Sequence, residues 1–337
     1  MKKILFSVLA AAALVACAKS EVHSVEETSQ IVIKPSTFLA TKANVNGVID
    51  GTTYPTAENF DVYGYWSADW NTEKAPANYL LASENSGVEF EYDSALAAWT
   101  GVVNHYWPKD GSLKFACYSP STVDLAHDWA TDTYSNDKFT YTVDPTKTFD
   151  LLVAPTTDGE YTVAQGNAPV EVAFDHALAW LSFKVMATSD DAAKAFTIHD
   201  VIVNDVCIDA ALTADMKNEK ITWTELDNEN PFYVLKDGKQ NPVKNVLKTI
   251  GTTKQCIVIP QPTTTVTINY TQNKLEGSAE LKNQSITLPL AIDNNGSWLP
   301  GKHYIYSLTF SLEEILIKPV VNAWEKVEQA IDEDALL

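Results

Sequence analysis

Short apolar segments in which every second residue shares one face, each closed by Gly, Pro, Asn or Asp, constrain this chain more than any other feature. Val88-Glu89-Phe90-Glu91-Tyr92 shows the pattern at its strictest, with apolar residues alternating with two glutamates. A helix of period 3.6 would scatter those residues around its circumference, whereas a strand of period 2 collects them on one side. The same reading predicts strands at Phe60-Asp61-Val62-Tyr63-Gly64-Tyr65-Trp66, at residues 113–118 before Ser119-Pro120, and at residues 149–154 before Pro155. Further strands are expected at residues 30–33, 170–174, 177–185, 196–204, 256–259, 265–270, 285–290, 304–310 and 315–320. Helix-period segments are few and short, such as residues 190–196 and the tail at 323–331. Many short strands with turn punctuation predict an all-β protein of the sandwich type. A length of 337 residues exceeds what one core comfortably serves, so two tandem β-sandwich domains are expected. The polar stretch Gly166-Asn167-Ala168-Pro169 separates them, giving residues 43–168 and 169–322, with an acidic tail at 323–337.

The chain opens with Lys2 and Lys3, an apolar run over residues 4–14, and the box Leu14-Val15-Ala16-Cys17. That run is shorter than the ~20 apolar residues a spanning helix needs, so residues 1–16 read as a removable signal peptide. A cysteine directly after small residues is the acceptor for lipoprotein processing, so Cys17 is expected to carry a diacylglyceryl group. Two or more acyl chains anchor a protein durably. The polar segment from residue 18 to about residue 29 then serves as a tether, and the rest of the chain is expected to work outside the cytoplasm.

The formal net charge is -20 and the chain contains no arginine. That balance excludes nucleic acid as a partner and gives no attraction to anionic lipid. Beyond Cys17 the cysteines are Cys117, Cys207 and Cys256, an odd number without close spacing, which is neither a disulfide framework nor a zinc site. Each lies in an apolar run and reads as a buried thiol; a single Cys207–Cys256 bridge stays open at this level.

The residues give no catalytic set: no G-x-S-x-G turn, no phosphate-cradling glycine loop and no H-E-x-x-H helix. His176 follows Asp175 at the start of a strand, where a structural histidine explains it better than a base does. Asp293-Asn294-Asn295-Gly296 reads as a hairpin turn rather than a calcium loop. No enzyme activity, metal or cofactor is therefore expected. Aromatic residues crowd the first half of the chain, and alternating aromatics suit a sandwich core. Trp70 and Trp129 sit in polar surroundings and are the candidates for an exposed glycan-binding platform, the alternative function in a surface adhesin.

Several motifs fall in one order: the box ending at Cys17, Thr41-Lys42-Ala43, Phe60-Asp61-Val62-Tyr63-Gly64-Tyr65, and Tyr106-Trp107-Pro108. Leu113-Lys114-Phe115-Ala116-Cys117-Tyr118-Ser119-Pro120 and Asp150-Leu151-Leu152-Val153-Ala154 follow. Phe174-Asp175-His176-Ala177-Leu178-Ala179, Ile259-Pro260-Gln261 and Trp298-Leu299-Pro300-Gly301-Lys302-His303-Tyr304-Ile305-Tyr306 complete the series. In this order and spacing the chain resembles the fimbrillin-like subunits of Bacteroidales type V pili. The resemblance implies Greek-key, transthyretin-like sandwiches, export as a lipoprotein to the outer membrane through Cys17, and assembly with other fimbrial subunits by strand exchange. It implies a maturation protease that removes an N-terminal segment after a basic residue, here between Lys42 and Ala43. Residues 17–42 would then hold both tether and removable strand, with the strand at residues 31–33. The implied donor strand is residues 315–320, with Ile315, Ile317 and Val320 as its apolar positions. A tip subunit of this kind would meet a host or bacterial surface ligand. Two features depart from the pattern: lysine stands where arginine is usual, and the acidic tail continues past Trp324.

Overall fold

The computed structural model describes residues 30–35, 54–70, 77–80, 87–121, 137–143, 150–155, 160–166, 168–215, 220–251, 256–273, 283–292 and 296–323. Nearly all of the described secondary structure is strand, as the alternation predicts.

The first sheet contains β1 (Val32–Pro35), β2 (Phe60–Ser67), β3 (Ala77–Leu80), β4 (Val88–Asp93), β5 (Ala98–Gly101), β6 (Ser112–Ser119), β8 (Leu152–Pro155), β9 (Val170–Val172) and β10 (Asp175–His176). Its order is β10-β8-β6-β2-β4-β5-β1-β9, with β3 beside β2. Phe60, Phe90, Trp99, Phe115, Leu152 and Val170, from six of these strands, meet in one buried cluster. A single sheet can do this only by curling over its own apolar face.

Two further sheets follow. One has the order β14-β11-β18-β19, with β15 beside β11, and is built from β11 (Ala179–Ala187), β14 (Lys248–Thr249), β15 (Cys256–Val258), β18 (Lys302–Phe310) and β19 (Ile315–Ala323). The other has the order β13-β12-β16-β17, with β7 beside β12, from β7 (Asp137–Thr142), β12 (Phe196–Asp215), β13 (Lys220–Leu235), β16 (Thr265–Gln272) and β17 (Asn283–Pro289). Their inner faces share Phe183, Val185, Ile198, Val203, Tyr306 and Leu308, the two-layer arrangement of a sandwich. The predicted helix is α1 (Asp190–Ala195). Ser189 caps it by accepting from the Ala192 amide at 3.1 Å, and Asp190 and Asp191 complement its positive end.

A third cluster joins these parts. Tyr63, Tyr65 and Tyr118, on the reverse face of β2 and β6, pack with Leu178, Leu212 and Ile257. This is why consecutive residues of β2 and β6 are buried where a one-sided strand would alternate. Sheet membership also crosses the expected hinge. Strand β7 pairs with β12, while β9 and β10 pair with β1 and β8.

Sequence periodicity leaves out β3, β5, β7, β13 and the two-residue β14. Strand β13 is long but half-exposed or exposed along most of its length, so no buried face imposes a period on it. Pro231 within it and positive φ at Glu225 and Asn228 are the irregularities that blunt an edge against unwanted pairing. Cys117, Cys207 and Cys256 are all free and buried, so the Cys207–Cys256 bridge left open by the sequence does not form.

Candidate functional site

Strand β1 is the N-terminal strand expected to be removable, and it lies inside the first sheet. It runs antiparallel to β5, with Val32 opposite Thr100 and Ile33 opposite Trp99. On its other side it runs parallel to β9, with Ile33 opposite Val170, Lys34 opposite Glu171 and Pro35 opposite Val172. Two residues ahead of it are also held: the Ile31 amide donates to the His105 carbonyl at 2.8 Å, and the Gln30 side-chain amide donates to Asn104 Oδ1 at 3.0 Å. Ile31 and Val32 are each only 1 % exposed.

The core beneath is aromatic. Tyr54 stacks on Phe174 at 5.1 Å and meets Phe60 and Trp99 edge-on. Its hydroxyl lies 2.8 Å from Ser119 Oγ and donates to the Asn59 carbonyl at 3.0 Å; burial pushes its phenol well above the usual range. Trp99 donates to the Glu58 carbonyl at 3.1 Å and Trp107 to the Gly166 carbonyl at 3.0 Å. These rings are fixed by their polar handles, so they cannot collapse freely into space that β1 vacates. Loss of β1 would detach β9 from this sheet, leave the facing backbone groups of β5 and β9 unpaired, and bare the apolar floor under Ile31. Such a slot accepts one kind of object, an extended apolar strand.

The expected donor strand is β19. It is the terminal strand of its sheet and pairs with β18 along its whole length, from Phe310 opposite Ile315 to Lys302 opposite Ala323. Ile315 is buried at 8 % and Ile317 packs against the same core, whereas Leu316 is 44 % and Val320 51 % exposed. Its outer face therefore carries apolar side chains that its own sheet leaves in water.

Trp70 is half-buried. Its indole nitrogen donates to Ser112 Oγ at 2.9 Å, and Lys114 Nζ sits 5.0 Å from the centre of its ring. Trp129, Cys17, Lys42 and Ala43 lie outside the described residues, as does most of the expected turn at residues 293–296. Of the crowded aromatics, Tyr63, Tyr65, Trp99 and Trp107 are core. His176 pairs with the buried Asp150, Nδ1 to Oδ2 at 2.7 Å. Among the described residues, no three His, Cys, Asp or Glu side chains gather as metal ligands would. Sequence reasoning missed Asn104 and His105, which grip the residues before β1, and the strand β5; it placed a strand at residues 170–174 but not the pairing of β9 with β1. Residues 102–106 carry no periodicity, so the sequence gives no signal for them.

The profile of the fimbrillin-like family matches residues 41–324. No curated protein matches the chain. Among solved structures, a fimbrial protein from Bacteroides vulgatus superposes with a TM-score of 0.61 at 14 % identity, covering 88 % of this chain and 99 % of that one. A candidate cell adhesion protein from Bacteroides ovatus gives 0.51 at 14 % identity over 88 % and 98 % of the two chains. One from Bacteroides uniformis gives 0.50 at 18 % identity over 88 % and 99 %. At these identities the likeness is one of fold.

Proposed function

The chain belongs to the fimbrillin-like family, and from that premise we propose that it is a structural, non-enzymatic subunit of a cell-surface fimbrium, matured by proteolysis and assembled by strand exchange. The observation that carries this reading is the position of β1. It is a doubly paired strand, with Ile31 and Val32 buried at its start, that precedes the expected cut between Lys42 and Ala43. One cleavage would free a strand whose departure opens an apolar slot, and a neighbouring subunit would close it. The edge position of β19 and the exposed Leu316 and Val320 on its outer face suit it as the donor; Ile315, Ile317 and Val320 are the apolar positions it would bring. The similar structures named as fimbrial or cell adhesion proteins agree with this role.

The precursor, in this reading, is tethered to the outer membrane through lipid on Cys17 and cut after Lys42 by a protease that accepts lysine. The units 43–168 and 169–322 act together, because the cluster around Tyr63, Leu178 and Leu212 joins them and strands cross their boundary. The test is to treat the purified full chain with a lysine-specific protease and follow both its N-terminus and its mass. The expected result is Ala43 as the new N-terminus, loss of residues 30–35 from the folded body, and a ladder of oligomers. Clean trimming that leaves a stable monomer would refute the reading.

A further inference from the structure

The outer face of the sheet β13-β12-β16-β17 carries an unusual set of side chains. In β16, Val266 and Ile268 turn into the core, and the alternate positions are Thr265, Thr267, Asn269 and Thr271. Strand β17 continues the rows with Thr287, Ser285 and Asn283, which stand opposite Thr267, Asn269 and Thr271. A face that meets only water ordinarily carries long charged side chains, as β13 of the same sheet does with Lys220, Glu225, Asp227 and Glu229. The side chains on β16 and β17 are instead short and uncharged, and they bond to one another. Thr267 Oγ1 and Thr287 Oγ1 lie 3.0 Å apart, and the Asn204 side-chain amide donates to Thr265 Oγ1 and Thr267 Oγ1 at 2.9 Å.

This polar ladder leads into a cleft of about 360 Å³, whose lining includes His199, Asp200, Asn269, Asn283 and Ser285. Its volume falls within the range of small-molecule sites. A β-bulge between Ile198 and Asp200 brings the extra residue, His199, to its rim. The imidazole spans from the Gly238 carbonyl, 3.0 Å from Nδ1, to Thr271 Oγ1, 2.8 Å from Nε2. Thr271 Oγ1 lies in turn 2.8 Å from Asn283 Oδ1. The Asp237 amide donates to Asp200 Oδ1 at 2.8 Å, and the Asn269 side-chain amide donates to Asp200 Oδ2 at 3.0 Å. These bonds hold the lining in place before any ligand arrives, which lowers the cost of binding one. Among the described residues, no side-chain hydrogen bond uses the Ser285 hydroxyl or Asn269 Oδ1, so both are left to meet it.

We infer that this cleft binds a neutral sugar residue of a glycan. The ligand class follows from what the lining can and cannot satisfy. No lysine lines the cleft and the chain carries a net charge of -20, so an anion is repelled. The single carboxylate already has both oxygens engaged, which leaves too few oxygen ligands for a cation. A wholly apolar ligand would strip water from the amide and hydroxyl groups without replacing its hydrogen bonds. A sugar hydroxyl both donates and accepts, and so suits a lining of amide, hydroxyl and carboxylate groups. The site goes beyond the proposed function, since it depends neither on proteolysis nor on strand exchange. It is also separate from Trp70, which is tied to Ser112 of the first sheet.

The test is saturation-transfer NMR on the full, uncleaved chain with glucose, galactose, mannose and N-acetylglucosamine as probes. Glucuronic acid and inorganic phosphate serve as charged controls. At least one neutral sugar should receive magnetisation from the protein, and the charged probes should not. Titration of that sugar into variants then locates the site. Asn269→Ala removes one ligand oxygen and loosens Asp200, and should weaken binding at least ~tenfold. Ser285→Tyr fills the cleft from an exposed position on an edge strand, where tyrosine is well accepted. It should abolish binding while leaving the urea midpoint unchanged. Trp70→Ala should bind as the parent chain does. Silence from all four neutral sugars overturns the inference. So does binding that survives Ser285→Tyr, binding lost in Trp70→Ala, or equal binding of glucuronic acid.

Discussion

Replacing Ile31 with alanine tests most directly whether β1 belongs to the core. Ile31 is 1 % exposed and packs in the cluster of Phe60, Trp99 and Phe174. Tyr54 and Trp99 in that cluster are held by hydrogen bonds to the Asn59 and Glu58 carbonyls, so they cannot move freely into the space left by the lost atoms. A large-to-small change at such a site costs ~2–4 kcal/mol, a large part of the ~5–15 kcal/mol that typically holds a domain. The paired control is Leu316→Ala. It removes a side chain of similar size, but 44 % of that residue already faces water in the monomer, so the expected cost is under ~1 kcal/mol. Urea unfolding of both intact variants, followed by tryptophan fluorescence, should show a clear fall in midpoint for Ile31→Ala and almost none for Leu316→Ala. Trp99 and Trp107 lie in the affected core and report on it locally. Equal losses in the two variants, or no loss at Ile31, would refute the claim that this segment completes the core while Leu316 stands at a sheet edge.

Three further outcomes are expected. Gln261 is buried and its side-chain oxygen accepts the Cys207 amide at 2.9 Å, so Gln261→Leu should cost ~1–3 kcal/mol by orphaning that group, measured as the same urea midpoint. Burial holds His105 below the ordinary histidine value, so the folded chain resists protonating it. The stability this contributes is present above the ordinary histidine pKa and is lost as pH falls below it, so the fall in midpoint from pH 7.5 to 5.5 should be smaller in His105→Gln. Burial pushes the thiols of Cys117, Cys207 and Cys256 up, and none is paired. All three should resist a thiol reagent at pH 8 in the native chain and react together in denaturant, as read by mass mapping of labelled peptides.

What could be read from residues alone follows the physics of each segment. One-sided strands such as β4 announce themselves, because water on one face and core on the other force alternation. Strand β13 does not: with most of its length half-exposed and Pro231 inside it, nothing marks a period. Strands β2 and β6 are legible as strands, but their double burial is not, since the second covering layer comes from residues far along the chain such as Leu178 and Leu212. The candidate site divides in the same way. The apolar character of residues 31–33 is plain in the sequence. Their insertion between β5 and β9 depends on pairings about 70 and 140 residues away, which no local pattern encodes.

The two-sided pairing of β1 bears on how such a joint carries load. A strand zipped to a single neighbour can peel away bond by bond. One clasped along both margins and pulled lengthwise is loaded in shear, so many of its bonds must give way at nearly the same moment. A joint made in that slot would thus be strongest along the direction in which a filament is stretched. Because one flank runs with the strand and the other against it, every joint would also share a single heading, giving the filament a fixed polarity.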